Sequence, residues 1–139
     1  MSAARKLSIA AVVAALLGAV VATAALARIT RNTIDPVAIV TDAGRQIIAT
    51  GPISCTAGER ALLHVTLTQR ATGAVAEGRT RAKCRGEDVQ QQWKVHASTH
   101  GDESFAAGVA SVVALARTTR RGESTDAHQW LVEVTLVDD

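Results

Sequence analysis

This sequence predicts an all-β domain, a small antiparallel β-sandwich, and three observations carry the prediction. Residues 61–70 and 76–85 alternate between two chemistries at period 2, the signature of half-buried strands. Turn signals containing Gly, Pro or Asp recur at roughly 8–15-residue spacing from residue 36 onward, the rhythm of a sandwich or barrel. The chain has 139 residues, 47% apolar and 20% charged, which makes one ordinary domain and excludes wholesale disorder. It carries no repeat of the collagen, coiled-coil or low-complexity kind.

Residues 1–27 precede that domain and read as a signal helix for export. Arg5 and Lys6 form a basic start, and residues 7–21 are uncharged and rich in Ala, Val and Leu. Ala25, Leu26 and Ala27 then fit the small-residue cleavage rule, with cleavage before Arg28; Ala22, Thr23 and Ala24 offer a second site. An uncleaved membrane anchor is the alternative. The uncharged run 7–27 is 21 residues, long enough to span a bilayer, and Arg5 and Lys6 would hold its start inside. Either reading puts the remaining chain outside the cytoplasm. No twin-Arg pair is present, and no Cys ends the apolar run, so a lipoprotein anchor is not expected. Two of the 15 basic residues and none of the 13 acidic ones lie in 1–27, leaving 13 against 13. With no net charge to neutralise phosphates, a nucleic-acid binder is not expected.

Residues 28–35 are polar and unpatterned, a flexible linker. The sandwich domain is expected over 36–139. Residues 36–41 are a short β-branched run, 42–45 a turn, and 46–50 a second run ended by Gly51 and Pro52. Residues 53–56 carry Cys55, and 57–60 turn the chain. In 61–70, Leu63, Val65 and Leu67 take one face and His64, Thr66, Thr68 and Arg70 the other. In 76–85, Ala76, Gly78, Thr80, Ala82 and Cys84 share the apolar face, and Glu77, Arg79, Arg81, Lys83 and Arg85 the polar one. Residues 86–88 turn. Residues 92–99 follow, with Trp93, Val95 and Ala97 inward and Lys94, His96 and Ser98 outward. Residues 105–117 are apolar with few breaks. Phe105, Ala107, Val109, Val113 and Leu115 alternate, but Ala110, Val112 and Ala114 are apolar too; their Val content favours a strand covered on both faces over a helix. Residues 118–126 form a long polar loop, and 128–137 close the chain with Trp130, Val132, Val134 and Leu136 inward.

About 112 residues follow position 27, and they hold two cysteines, Cys55 and Cys84. In an exported domain such a pair is expected to form a disulfide. The closed loop of about 30 residues would contribute roughly 3–4 kcal/mol. The core is poor in aromatics, so a small domain benefits from such a staple. A true immunoglobulin domain places a Trp between its two Cys, whereas Trp93 follows Cys84 here; the expected sandwich is therefore only immunoglobulin-like in architecture.

Gly51 four residues before Cys55, a strand ending near Gln69, Gly78 before Cys84, then Gly86, Trp93, Phe105, Gly108 and Ala110 form an ordered series. In this it resembles a family of small secreted actinobacterial proteins with a single β-sandwich domain of unassigned function. The heavy use of Ala, Arg and Val, with only three Lys, suits a GC-rich genome of that kind. The resemblance covers about residues 46–137. It implies an exported β-sandwich with one disulfide and brings no catalytic or binding residues.

Patterns for chemistry are sparse. His96 and His100 have a spacing that on a helix would pair two zinc ligands, but an extended chain holds them roughly 13 Å apart. No metal or cofactor is expected. No Gly-x-Ser-x-Gly, Walker or Gly-x-Gly-x-x-Gly motif occurs. The acidic pairs Glu87–Asp88, Asp102–Glu103 and Asp138–Asp139 fall in turns or at the terminus, where carboxylates stay solvated, so no catalytic residues are expected.

The unusual surface is the basic ladder Arg79, Arg81, Lys83, Arg85, whose same-face neighbours lie about 6.6 Å apart on a strand. A hairpin would bring Lys94 and His96 alongside. Opposed like charges cost stability unless offset or used. The first reading of the ladder is protection of an exposed sheet edge; its functional reading is a ligand-binding face for an anionic envelope polymer or another extracellular protein. Separately, residues 118–124 hold Arg120 and Arg121 in a polar loop, the place for a protease-inhibitor-like reactive loop. A non-enzymatic extracellular or cell-envelope module is the expected function, with membrane contact only if residues 1–27 stay attached.

Overall fold

A computed structural model describes residues 27–139; the signal or anchor segment falls outside the described residues except for its last position, Ala27. Eight strands run in chain order: β1 (Ile29–Asn32), β2 (Val37–Thr41), β3 (Gln46–Cys55), β4 (Arg60–Gln69), β5 (Ala74–Lys83), β6 (Gly86–His100), β7 (Gly108–Arg120) and β8 (Glu123–Asp138). The described residues contain no α-helix, only a 3-10 turn at Asp42–Gly44 between β2 and β3.

The sheet is not split into two. It closes on itself through β3, β2, β8, β7, β4, β5 and β6, with β6 returning to β3, so the expected sandwich is a seven-stranded barrel. Two strands do the closing. β6 bonds β3 along its length through Gly51↔Trp93 and Gln46↔Ser98, then bonds β5 with its last residues, Ser98, Thr99 and His100. β2 bonds β3 on one side and β8 on the other, and the β2–β8 pairing is parallel, the one departure from an antiparallel ladder. β1 adds to the far half of β3, where a flexible linker is expected from sequence. Buried Ile29 and Ile34 draw that polar stretch onto the barrel.

Inside, every strand follows its alternation. Ala61, Leu63, Val65, Leu67 and Gln69 of β4 point inward with Ile47, Ala49 and Ile53 of β3 and Trp93, Val95 and Ala97 of β6. β7 resolves its ambiguity in an unexpected direction. Its small residues Ala110, Ala114 and Ala116 go in with Val112, and its larger Val109, Val113 and Leu115 go out. The strand starts only at Gly108. Phe105 belongs to the preceding connection and plugs the barrel end, its N–H donating to Gly44 O at 2.9 Å. Buried Gln69 pins the same connection: its amide donates to Ala106 O at 2.7 Å and accepts from Ala106 N at 2.9 Å.

Two glycines permit the curvature. β3 continues through Gly51 and Pro52 instead of ending there. A Cβ at Gly51 would lie 2.1 Å from Thr33 O, where the chain crosses between β1 and β2. A Cβ at Gly78 would lie 2.7 Å from His96 O, where β5 turns away from β6 at the barrel corner. Cys55 and Cys84 form the disulfide, with Cα atoms 5.1 Å apart, and tie the end of β3 to the end of β5. Bonds of this kind persist in oxidising, extracytoplasmic settings.

Candidate functional site

The β5 ladder does stand on one outer face, but its neighbours differ from the expected ones. β5 pairs with β4 over its whole length, and β4 pairs with β7. The register lays out rows across the three strands. Arg79, His64 and Leu115 form one row, Arg81, Leu62 and Arg117 the next, and Lys83, Arg60 and Thr119 the third. Leu62 therefore sits between the Arg81 and Arg117 positions, with Arg60 beyond it on its own strand. With adjacent strands about 4.8 Å apart, the Arg81 and Arg117 backbones lie on either side of it, roughly 10 Å from each other.

Lys94 and His96 are not part of this surface. They lie opposite Thr50 and Ile48 of β3, on the outer face of β3–β6. The hairpin expectation fails because β5 and β6 bond only from Val75↔His100 to Glu77↔Ser98 and then splay at Gly78. Arg85 also leaves the ladder: it falls in the turn after β5 ends at Lys83, where its N–H donates to the Gln91 side chain at 3.1 Å. Sequence reasoning missed Arg60 and Arg117. No local pattern reveals them, because they join the site only through the β5–β4–β7 strand order.

Glu77 bounds the site at one end. Its carboxylate is hydrogen-bonded by His64, lies 3.2 Å from His100 Nε2 and 3.6 Å from an Arg79 nitrogen. The His64 hydrogen bond, aided by the charges of His64, His100 and Arg79, holds the Glu77 carboxyl below the usual carboxylate range, against an opposing effect of partial burial. The other end is different. Among the described residues no ion pair involves Arg60, Arg81, Lys83 or Arg117. A groove of about 330 Å³ lies over Leu62 and Leu115, lined by His64, Arg79, Arg81 and Arg117. An adjoining one reaches Arg60 and Arg121. Its chemistry is electrostatic and apolar, with guanidinium donors around a small aliphatic floor.

The 118–124 stretch is not a loop. β7 runs to Arg120 and β8 starts at Glu123, so Arg121 and Gly122 alone make the turn, with φ of 52° and 83°. Positive φ at both central residues is the tight hairpin geometry that matches strand twist. Thr118 is buried, and Arg120 Nε reaches the buried Glu59 carboxylate at 3.0 Å. Thr125 Oγ1 donates to the same carboxylate at 2.9 Å. A two-residue turn with one Arg committed to a buried partner does not present an extended reactive segment. Of the two histidines with zinc-like spacing, His100 turns to Glu77 and His96 to the far face; among the described residues no group of three or more potential ligands is placed to hold a metal.

No protein-family model matches the chain, and no curated protein matches it in sequence. Among solved structures it is similar to the crystal structure of AggA, the major subunit of aggregative adherence fimbriae type I from Escherichia coli. That likeness has a TM-score of 0.40 and 10% identity, over 81% of this chain and 95% of that one.

Proposed function

We propose that this chain is an exported, non-enzymatic module that holds an anionic partner on the outer face of β5, β4 and β7, around Leu62. The observation that carries the proposal is the position of Arg60 and Arg117. Edge protection accounts for Arg79, Arg81 and Lys83, because the second half of β5 bonds only to β4. It does not account for Arg60 and Arg117. Those sit on β4 and β7, each bonded on both sides, where no edge needs defending. Like charges on neighbouring strands oppose each other, and an anion between them relieves that repulsion. Export is supported by the apolar segment 7–27 behind Arg5 and Lys6 and by the disulfide.

Titration of the protein with a soluble polyanion, inorganic polyphosphate, tests the reading. Binding weakens as salt rises, and Arg81→Glu or Arg117→Glu weakens it about tenfold, while Lys94→Glu leaves it unchanged. Equal losses at Arg81 and Lys94, or binding indifferent to salt, would sink the proposal.

A further inference from the structure

The same sheet face carries a second chemistry. Seven large apolar residues are exposed in the described chain, and six of them, Val37, Val109, Val113, Leu115, Leu131 and Val137, share the outer surface of β2, β8 and β7. Leu131 is 70% exposed, the most of any. It lies beside Val113, and Leu115 lies beside His64 and one row from Arg117, so the apolar stripe runs directly into the arginine cluster. Ser111 and Glu133 form a polar row between Val109 and the Val113–Leu131 pair, so the continuous part of the stripe is Leu131, Val113 and Leu115; exposed apolar residues grouped in this way mark an interaction site.

We infer that the anionic partner is a lipid surface, one whose negative headgroups meet the arginines while its apolar layer receives the β7–β8 stripe. The inference rests on the anion-binding reading above and names the partner's class. Charge selects among occupants. This face bears Arg60, Arg79, Arg81, Lys83 and Arg117 against the two carboxylates Glu77 and Glu133, and Glu77 is already engaged by His64, His100 and Arg79. A two-fold dimer through the face would set this positive surplus against itself, since an isologous interface buries the same patch on both copies. A soluble polyanion would satisfy the arginines and leave Leu131 and Val113 in water. A protein partner would be expected to find an aromatic anchor or a deep pocket, and the face offers neither: its exposed large apolar residues are Val and Leu alone. An anionic bilayer supplies both chemistries side by side and asks for no shape match.

Vesicle co-sedimentation of the full chain tests this, with phosphatidylglycerol vesicles against phosphatidylcholine vesicles and with polyphosphate binding measured in parallel. The variants Leu131→Ser and Arg81→Glu share residues 1–27 with the parent, so any difference between them arises from the barrel. Leu131→Ser is expected to weaken phosphatidylglycerol binding about tenfold and leave polyphosphate binding unchanged. Arg81→Glu is expected to weaken both. Thermal unfolding of each variant confirms that the barrel persists. If Leu131→Ser leaves phosphatidylglycerol vesicle binding intact, the lipid inference fails and the anion site stands. If Arg81→Glu changes neither readout, both fail. If the parent sediments as a dimer that Leu131→Ser dissociates, the stripe is a self-association face and the lipid inference is overturned.

Discussion

Strands β3 and β6 line the barrel with Ile47, Ala49, Ile53, Trp93 and Val95, and strands β4 and β7 line it with Leu63, Val65, Leu67, Val112 and Ala114. Their outer surfaces differ in apolar content. Outside β6 stand Gln92, Lys94, His96 and Ser98, the polar partners expected of a half-solvated strand. Outside β7 stand Val109, Val113 and Leu115, flanked by Leu131 of β8 and by the arginines of β5 and β4. The fold needs only the interior set, so the chemistry outside β7 is not explained by folding. On β7 itself the distribution is inverted: its larger aliphatics face out while Ala110, Ala114 and Ala116 suffice inside. The difference between the two faces is what makes one of them a candidate surface.

The largest test of that contrast is a pair of leucine truncations. Leu63→Ala removes a buried side chain and is expected to cost about 2–5 kcal/mol by chemical denaturation. Leu131→Ser removes an equally apolar but exposed one and is expected to stay within about 0.5 kcal/mol. A cost at Leu131 comparable to that at Leu63 would mean the outer stripe belongs to the fold.

A smaller effect separates two arginines on the basic side. Arg120 is committed to the buried Glu59 carboxylate, and Arg81 has no ion-pair partner among the described residues. Arg120→Ala leaves that carboxylate with only the Thr125 hydroxyl, at an expected cost of about 1–3 kcal/mol. Arg81→Ala is expected to be near neutral in stability and visible in anion binding. Measuring melting temperature and polyphosphate affinity together should give opposite rankings for the two variants. Matching rankings would erase the distinction between a structural and a ligand-facing arginine.

How much of this was legible in the sequence follows from which information is local. The facing of β4 is, because its inward and outward residues differ in polarity at every step from Leu63 to Thr68. The facing of β7 is not, because Val113 and Ala114 are both apolar and alternation alone cannot rank them; only the closed barrel, with Leu63 and Val65 already filling its interior, decides that the alanines go in. The half of the basic site on Arg79, Arg81 and Lys83 is visible along one strand. The half on Arg60 and Arg117 is not, since it depends on β4 lying between β5 and β7. The placement of Lys94 and His96 went wrong for the same reason. A short turn between β5 and β6 implies a paired hairpin, and the splay at Gly78 depends on β6 being held by β3.

The smallest expected effect lies on the boundary of the basic face, at Glu77. Its carboxyl is held below its ordinary value of 4.5 by the His64 hydrogen bond first and by the nearby positive charges second. A group depressed in the folded state contributes stability that is fully present above its unfolded pKa and is lost as pH falls through its folded one. The parent should therefore exceed Glu77→Gln in stability at pH 7 by less than either preceding loss. The gap should hold down to about pH 4.5 and close in stronger acid, as the parent's Glu77 protonates and becomes as neutral as the glutamine variant. The same substitution releases Arg79 and removes a carboxylate from the face, so polyphosphate binding at pH 7 should rise slightly as stability falls. A stability gap that does not narrow as the pH falls below about 4.5, or anion binding that weakens, would show that Glu77 supports the surface through packing rather than through its charge.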